Sequence, residues 1–133
     1  MNNAKIIKLA LLLLSVFLLQ GCLLKKSDKQ PVKLDAVVSK VKIESVVSHQ
    51  EAGWLRVSGN IKNTSEYPVT SVEVKLILTG DAEVFDARHL ILSQGKRLEP
   101  GQTVTFDSTF DYGTKEIPKV TVDAAVVTLQ VLE

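Results

Sequence analysis

Apolar and polar residues alternate along most of this chain, and that pattern constrains the fold more than any other feature. The clearest stretch is 54–62, where Leu55, Val57 and Ile61 share one face and polar residues lie between them. A period of two places successive side chains on opposite faces of a β-strand. No stretch after Leu19 keeps the 3.6-residue period of a helix. We therefore expect strands, and no helix, beyond that point.

Further strands are predicted at 32–48, 69–79, 102–112 and 120–132, with two short strands or one broken strand within 82–94. Leu98-Glu99-Pro100-Gly101 predicts a tight turn, because Pro suits its first central position and Gly accepts positive φ at the second. Gly59, inside a strand, indicates a bulge or a close approach of backbone. Strands at this spacing without sustained helices predict an all-β fold, an antiparallel β-sandwich of about seven strands.

The first 21 residues have the organisation of a secretory signal peptide. A short polar segment with Lys5 and Lys8 precedes an almost unbroken aliphatic run over 9–19. The uncharged stretch 9–24 has 16 residues, which is marginal for a bilayer that needs about 20 apolar residues. We expect cleavage; an ordinary cleaved signal, or an anchor helix in which Cys22 has no role, is the alternative.

The end of this segment resembles the lipobox of bacterial lipoproteins. Leu19, Gln20 and Gly21 precede Cys22, which is the only cysteine of the chain. The resemblance implies a diacylglycerol on the Cys22 sulfur, cleavage before Cys22 and acylation of the new amine by a chain such as palmitate. Two or three such chains anchor a protein durably, whereas one binds only marginally. Since Leu23 rather than Asp follows, we expect the outer membrane, facing the periplasm, if the host is Gram-negative.

The predicted organisation is therefore a signal peptide over 1–21, a lipidated cysteine with a short tether over 22–32, and a sandwich domain over 33–133. Cleavage would leave 112 residues, which is enough for one domain with one core. The chain has 16 basic and 15 acidic side chains, and the signal peptide holds two of the basic ones. So balanced a charge argues against a nucleic-acid partner, which requires a concentrated basic face. With Cys22 lipidated, the mature chain can form no internal disulfide.

Three stretches of the predicted domain are similar to the FxLYD-type, immunoglobulin-like domains of bacterial surface and periplasmic proteins. They are 57–65, which contains a G-x-(V/I)-x-N-x-(S/T) strand end, the alternating strand 69–78, and 98–106, which begins with L-x-P-G-(E/Q). At 76–81 the chain departs from the family, because Leu-Ile-Leu-Thr-Gly-Asp stands in place of Leu-Tyr-Asp. The resemblance covers roughly 53–127. It implies an immunoglobulin-like structural or binding module without catalytic residues.

No group of residues in the sequence indicates catalysis or a metal site. His49 and His89 lack further ligands at metal-site spacing. Asp107 and Asp111 share a strand face about 13 Å apart, which is too far for glycoside hydrolysis. The acidic residues within 81–86 lack the spacing of a calcium loop. We therefore expect no cofactor and no enzymatic activity.

Trp54 and Tyr67 are the predicted anchors for a protein partner, because large aromatic side chains dominate interface hot spots. A core position is the alternative for Trp54. Asn63-Thr64-Ser65 matches a glycosylation sequon, which we interpret as turn chemistry in a bacterial protein. The leading hypothesis is a membrane-anchored, non-catalytic interaction or structural module that presents loops or a sheet edge to an envelope protein. The alternatives are a pilotin-like chaperone for a secretion or pilus system and a small-ligand carrier.

Overall fold

The computed structural model describes residues 30–133, so the predicted signal peptide, Cys22 and most of the predicted tether lie outside it. In chain order the elements are α1 (Leu34–Val38), β1 (Val41–Glu51), β2 (Trp54–Asn63), β3 (Val69–Gly80), β4 (Glu83–Leu92), β5 (Thr103–Asp111) and β6 (Val120–Val131). Within 30–133, no helix has the length and apolar composition needed to cross a membrane.

Two antiparallel sheets of three strands face each other. Sheet A has the order β1-β2-β5, and sheet B has the order β4-β3-β6. This is the order of strands A, B, E and of strands C′, C, F in the immunoglobulin fold. The predicted antiparallel β-sandwich is confirmed, with six strands in the described part of the chain where about seven were expected.

The core lies between the inner faces of the sheets. Alternate residues of β2 and β3 point into it, as the sequence pattern predicts. Nine apolar side chains have no exposed surface: Leu55, Val57, Ile61, Val69, Val72, Val74, Leu76, Leu78 and Leu98. Burying one such side chain contributes about 1.5–3 kcal/mol. These apolar inner faces therefore set the register of the strands, since a slip of one residue would expose them all.

The predicted strand over 32–48 is wrong in its first part, and so is the expectation of no helix after Leu19. The helix α1 precedes β1, and the amide groups of Ala36 and Val37 donate to the Lys33 carbonyl at 3.0 and 3.3 Å. A helix of five residues spans little more than one turn, so its sequence shows no period. Because isolated helices of this length are unstable in water, we attribute α1 to the packing of Val37, which is 3% exposed.

The segment 82–94 forms one strand with an irregularity, which is the second of the two predicted alternatives. Leu78 pairs with Asp86 and Thr79 with Val84, so that Phe85 is an extra residue in β4. This bulge hides the alternation in the sequence. Beyond it, Asp86 and Arg88 pair with core residues of β3 and occupy the inner side of the sheet.

Arg88 covers the core where the edge strands β4 and β5 approach each other. Its guanidinium carbon lies 5.5 Å from the ring centroid of Phe110 and 5.4 Å from that of Tyr112. Asp86 Oδ2 accepts hydrogen bonds of 2.7 Å from Arg88 Nε and from the Tyr112 hydroxyl. Charged side chains that point inward on an edge strand discourage pairing with other chains. We interpret this cluster as protection of the open side of the sandwich.

The Asp86 cluster predicts a loss of stability in acid. Burial raises the pKa of Asp86, but hydrogen bonds from Tyr112, Arg88 and the Ala87 amide outweigh it and hold the pKa below its ordinary value of 3.8. A carboxyl group of this kind stabilises the fold above its unfolded pKa and loses that effect as the pH falls through the folded pKa. We expect Asp86→Asn to lower the free energy of unfolding by about 1–2 kcal/mol at pH 7.

Urea denaturation between pH 7 and pH 2.5 tests this prediction. Below about pH 4 the Asp86→Asn variant should lose stability less steeply than the native protein, because it lacks the titrating carboxyl group. Asp123→Asn, at an exposed position of β6, is the control and should follow the native curve. Parallel curves for the native protein and Asp86→Asn would contradict the proposed role of Asp86.

Two turns illustrate the local chemistry of the chain. The predicted turn at Gly101 is confirmed, because the Gln102 amide donates to the Glu99 carbonyl at 3.0 Å and Gly101 has φ +79°. The close approach predicted at Gly59 is confirmed as well. A Cβ atom there would lie 2.9 Å from the Phe106 ring. Gly59 therefore makes room for an aromatic side chain of the neighbouring strand.

The β3–β4 hairpin offers a stabilising substitution. Asp81 and Ala82 have φ angles of 52° and 67°, as in a type I′ turn, in which glycine is favoured at the second position. Ala82→Gly should raise the free energy of unfolding by about 1 kcal/mol, because it removes the strain of a left-handed alanine. Ala52, in the β1–β2 hairpin, is not among the residues with positive φ. Ala52→Gly should therefore give no gain in urea denaturation, and an equal gain at both positions would refute this explanation.

Candidate functional site

The two predicted partner-binding residues lie at opposite ends of the sandwich. Trp54 begins β2, and Tyr67 lies in the loop that follows it; the side chains are 47% and 38% exposed. Because β2 has ten residues that rise about 3.4 Å each, they cannot form one site. We call the end with the β1–β2, β3–β4 and β5–β6 connections the distal end. The opposite end, where β1 begins and β6 ends, is the proximal end.

The Tyr67 loop is built around Asn63, which is fully buried. Asn63 Nδ2 donates to the carbonyls of Tyr67 and Leu98 at 2.8 and 3.0 Å. Its Oδ1 accepts hydrogen bonds from the amide and hydroxyl groups of Ser65 at 3.0 and 2.7 Å. The side chain thus joins the β2–β3 loop to the β4–β5 loop. The structure agrees with the interpretation of this sequon as turn chemistry, since a fully buried Asn63 is inaccessible to a modifying enzyme.

Trp54 lies between two carboxylates on the outer face of sheet A. Its direct cross-strand neighbours are Glu51 on β1 and Asp111 on β5. Directly opposed residues of antiparallel strands point to the same face, with Cβ atoms about 4.5–5.5 Å apart. Trp54 therefore has an acidic neighbour on each of the two adjacent strands. The core position considered for Trp54 is not found.

A shallow depression opens beside the indole ring. It is lined by His49, Glu51, Trp54, Arg56 and Thr109. We refer to these five residues, together with Asp111, as the Trp54 surface. A second depression lies on the other side of the β1–β2 hairpin, between Gln50 to Gly53 and Gly113 to Ile117. Glu51 borders both depressions, so an extended segment could pass from one to the other across this residue.

The charged groups of the Trp54 surface do not balance. Arg56 Nε donates to both carboxylate oxygens of Asp107, at 2.9 and 2.8 Å. This pairing raises the pKa of Arg56 and lowers the pKa of Asp107, so both groups are charged at neutral pH. The Glu51 carboxylate lies 3.3 Å from His49 Nε2 and also acts on Arg56 through its charge. The Arg56 guanidinium thus stands near three carboxylates: those of Glu51 and Asp111 on the Trp54 surface, and that of Asp107 beside it.

The hairpin that carries Trp54 is held in place by the β5–β6 loop. The Tyr112 amide donates to the Gly53 carbonyl at 2.8 Å, and the Gln50 side-chain amide donates to the Ile117 carbonyl. A Cβ atom at Gly53 would clash with the Gly113 carbonyl. These contacts hold the backbone of the hairpin that leads into Trp54. A fixed surface loses less conformational entropy on binding than a mobile one.

The other candidate residues of the sequence analysis serve local contacts. His89 Nδ1 lies 2.7 Å from Glu73, and Asp111 Oδ1 accepts a 2.7 Å hydrogen bond from the Gly113 amide. Among residues 30–133, no group of three or more His, Cys, Asp or Glu side chains is arranged to hold a metal ion. Cys22 and the preceding Leu19, Gln20 and Gly21 lie outside the described residues.

Sequence reasoning missed the neighbours of Trp54. Alternation places Arg56 and Thr109 on the outer faces of their strands, but it does not reveal that β2 and β5 are adjacent. That information would have required the strand order. Comparison with known protein families, curated proteins and solved structures found no match. The resemblance to FxLYD-type domains therefore stays a prediction.

Proposed function

We propose that this protein is a bacterial envelope lipoprotein, anchored by lipid on Cys22, that acts as a non-catalytic protein-interaction module. The observation that carries the proposal is the exposure of Trp54, the only tryptophan of the chain, on a fixed surface at the distal end. Exposed tryptophan beside polar groups is typical of the centre of a protein interface. The lipobox-like sequence at 19–22 supports the anchor.

The position of the Trp54 surface suits an anchored protein. The chain enters the sandwich at its proximal end, where the Thr64 amide donates to the Lys40 carbonyl just before β1. Trp54 lies at the other end of β2, about 30 Å further along the strand. The Trp54 surface is thus at the end of the sandwich opposite to the one at which the described chain enters β1.

The hydrogen bonds of the FxLYD-like stretches support a structural role for them. Through Asn63 and Leu98, the two stretches 57–65 and 98–106 are hydrogen-bonded to each other. Turn chemistry of this kind would keep the sandwich intact without contributing to a binding site. We therefore propose that the Trp54 surface is specific to this chain, within an immunoglobulin-like scaffold of FxLYD type. A pilotin-like chaperone would be a narrower form of the same function.

Chemical crosslinking in envelope membranes tests the proposed function. The full-length chain would carry an affinity tag, and its complexes would be compared among the native protein, Trp54→Ala and Val127→Ala. Val127 is the matched control, since it is also 47% exposed but belongs to sheet B. We expect one envelope protein with the native chain and the control, and at least a tenfold lower yield with Trp54→Ala. Equal yields from the native protein and both variants, or no captured protein, would overturn the proposal.

A further inference from the structure

We propose that the Trp54 surface binds a basic side chain, a lysine or an arginine, presented by the envelope partner. The cation would lie over the indole ring of Trp54 and between the carboxylates of Glu51 and Asp111. This inference rests on the proposed function and names the chemistry of its partner.

Geometry supports a cation at this position. Trp54 is directly opposite both Glu51 and Asp111, so an acidic residue lies on the neighbouring strand on either side of it. A cation over an indole face is attracted by the negative face of the ring system, and tryptophan is the strongest aromatic partner for such contacts. The flanking carboxylates can also accept charge-assisted hydrogen bonds from an ammonium or guanidinium group.

The charges around Trp54 support a basic partner independently. Arg56 is the nearest basic side chain on the same strand, but it is held by Asp107 through two hydrogen bonds. Its hydrogen bonds therefore go to Asp107, and its interaction with Glu51 is a weaker, purely coulombic one. Asp111 appears in none of the ion pairs formed within residues 30–133. A partner with the opposite charge would complete this surface, and complementary charge also excludes partners of the wrong sign.

Two other surfaces of the sandwich give weaker evidence for a binding site. The outer face of sheet B exposes Val84, Ile91 and Val127, but nothing in the structure shows what would cover them. A depression along β1 and β6 includes Val38 and Ile43. Lys42 is the one charged residue that lines it, and a single charge does not define an occupant. The Trp54 surface combines an exposed aromatic ring with two acidic neighbours, which these other two surfaces of the described chain do not.

Fluorescence of Trp54 provides a direct test, because no other tryptophan contributes to the signal. The full-length lipidated protein, purified in a nonionic detergent, would be titrated with decalysine, with fully acetylated decalysine and with a tetramer of N-acetylglucosamine. We expect a saturable change with decalysine and at least a tenfold weaker response to its acetylated form. Stronger binding of the acetylated peptide or of the sugar would overturn the inference.

Variants show whether the binding is local to Trp54. Glu51→Gln and Asp111→Asn should each weaken decalysine binding about tenfold. Glu83→Gln is the control, because Glu83 is an exposed acidic residue of the distal end that is not a neighbour of Trp54. Equal weakening by the control would show a diffuse response to negative charge and would refute a defined site.

Crosslinking separates this inference from the function on which it rests. If the native chain captures no envelope protein, the proposed function fails. If capture is lost with Trp54→Ala but retained with the double variant Glu51→Gln, Asp111→Asn, the function holds and the basic-partner inference is wrong. Loss of capture with both variants, and its retention with Glu83→Gln, is the result that we expect.

Discussion

Asn63→Asp is expected to destabilise the sandwich by about 3–5 kcal/mol at pH 7. The replacement keeps the shape of the side chain but exchanges its two N–H donors for a carboxylate oxygen. That oxygen would face the carbonyls of Tyr67 and Leu98, which Asn63 Nδ2 now contacts at 2.8 and 3.0 Å. The amide and hydroxyl groups of Ser65 would still donate to the other oxygen, but the buried oxygen that faces two acceptors would have no donor. Urea denaturation followed by circular dichroism measures the loss.

The pH dependence of this variant identifies the cause. Burial and the neighbouring carbonyls should raise the pKa of the introduced carboxyl group. The variant protein should therefore be more stable when this group is protonated. The difference in the free energy of unfolding between the variant and the native protein should therefore decrease as the pH falls towards 5. Asn60→Asp is the matched control, since Asn60 lies on the outer face of sheet A and its Oδ1 accepts from the Thr105 hydroxyl at 3.0 Å. A similar loss of stability at both positions would contradict the proposed role of Asn63 in joining the two loops.

Cys22→Ser is expected to abolish lipid attachment and processing completely. If the lipobox-like motif is functional, the native protein carries acyl chains and begins at residue 22. The serine variant would lack the sulfur that accepts the lipid and would keep all 133 residues. Each buried methylene contributes about 0.8 kcal/mol to membrane anchoring, so losing two or three chains removes the anchor. Metabolic labelling with an alkyne fatty acid and intact-mass measurement detect both changes.

A neighbouring substitution provides the control for Cys22. Leu24→Ser changes the same apolar stretch outside the motif, and this variant should be labelled and cleaved like the native chain. An unlabelled native protein that begins elsewhere would favour an ordinary signal peptide. Labelling of Cys22→Ser at the native level would contradict lipid attachment at this residue.

The fold was predictable where one face of a strand is uniformly apolar. The alternation in 54–62 and 69–79 predicts β2 and β3 within one residue at their ends, because both strands lie in the middle of their sheets. The turn at Gly101 was predictable for another reason, since its geometry requires positive φ after a proline. Such positions are dictated by short-range sterics and by burial, which the sequence records directly.

Other features depend on long-range contacts that no local pattern reveals. The helix α1 contains Val37 and Val38, whose β-branched side chains favour strands, and burial of Val37 overrides that preference. In β4, Arg88 has the character of a solvent-exposed residue, yet it stacks on Phe110 of β5 and on Tyr112, which follows that strand. The Trp54 surface likewise arises only when β1 and β5 lie on either side of β2. The sequence identified its central residue, while the strand order supplied the neighbours.

Photo-crosslinking from the Trp54 surface in living cells tests the central claim most directly. Thr109, which lines the depression beside Trp54, would be replaced by p-benzoylphenylalanine in the full-length chain. Thr121, an exposed threonine of β6 in sheet B, would carry the same group as the control. We predict a crosslink to one envelope protein from position 109, none from position 121, and loss of the crosslink in the Cys22→Ser background. Crosslinks from position 121 alone, or from neither position in a membrane-bound protein, would contradict an anchored module that binds its partner through Trp54.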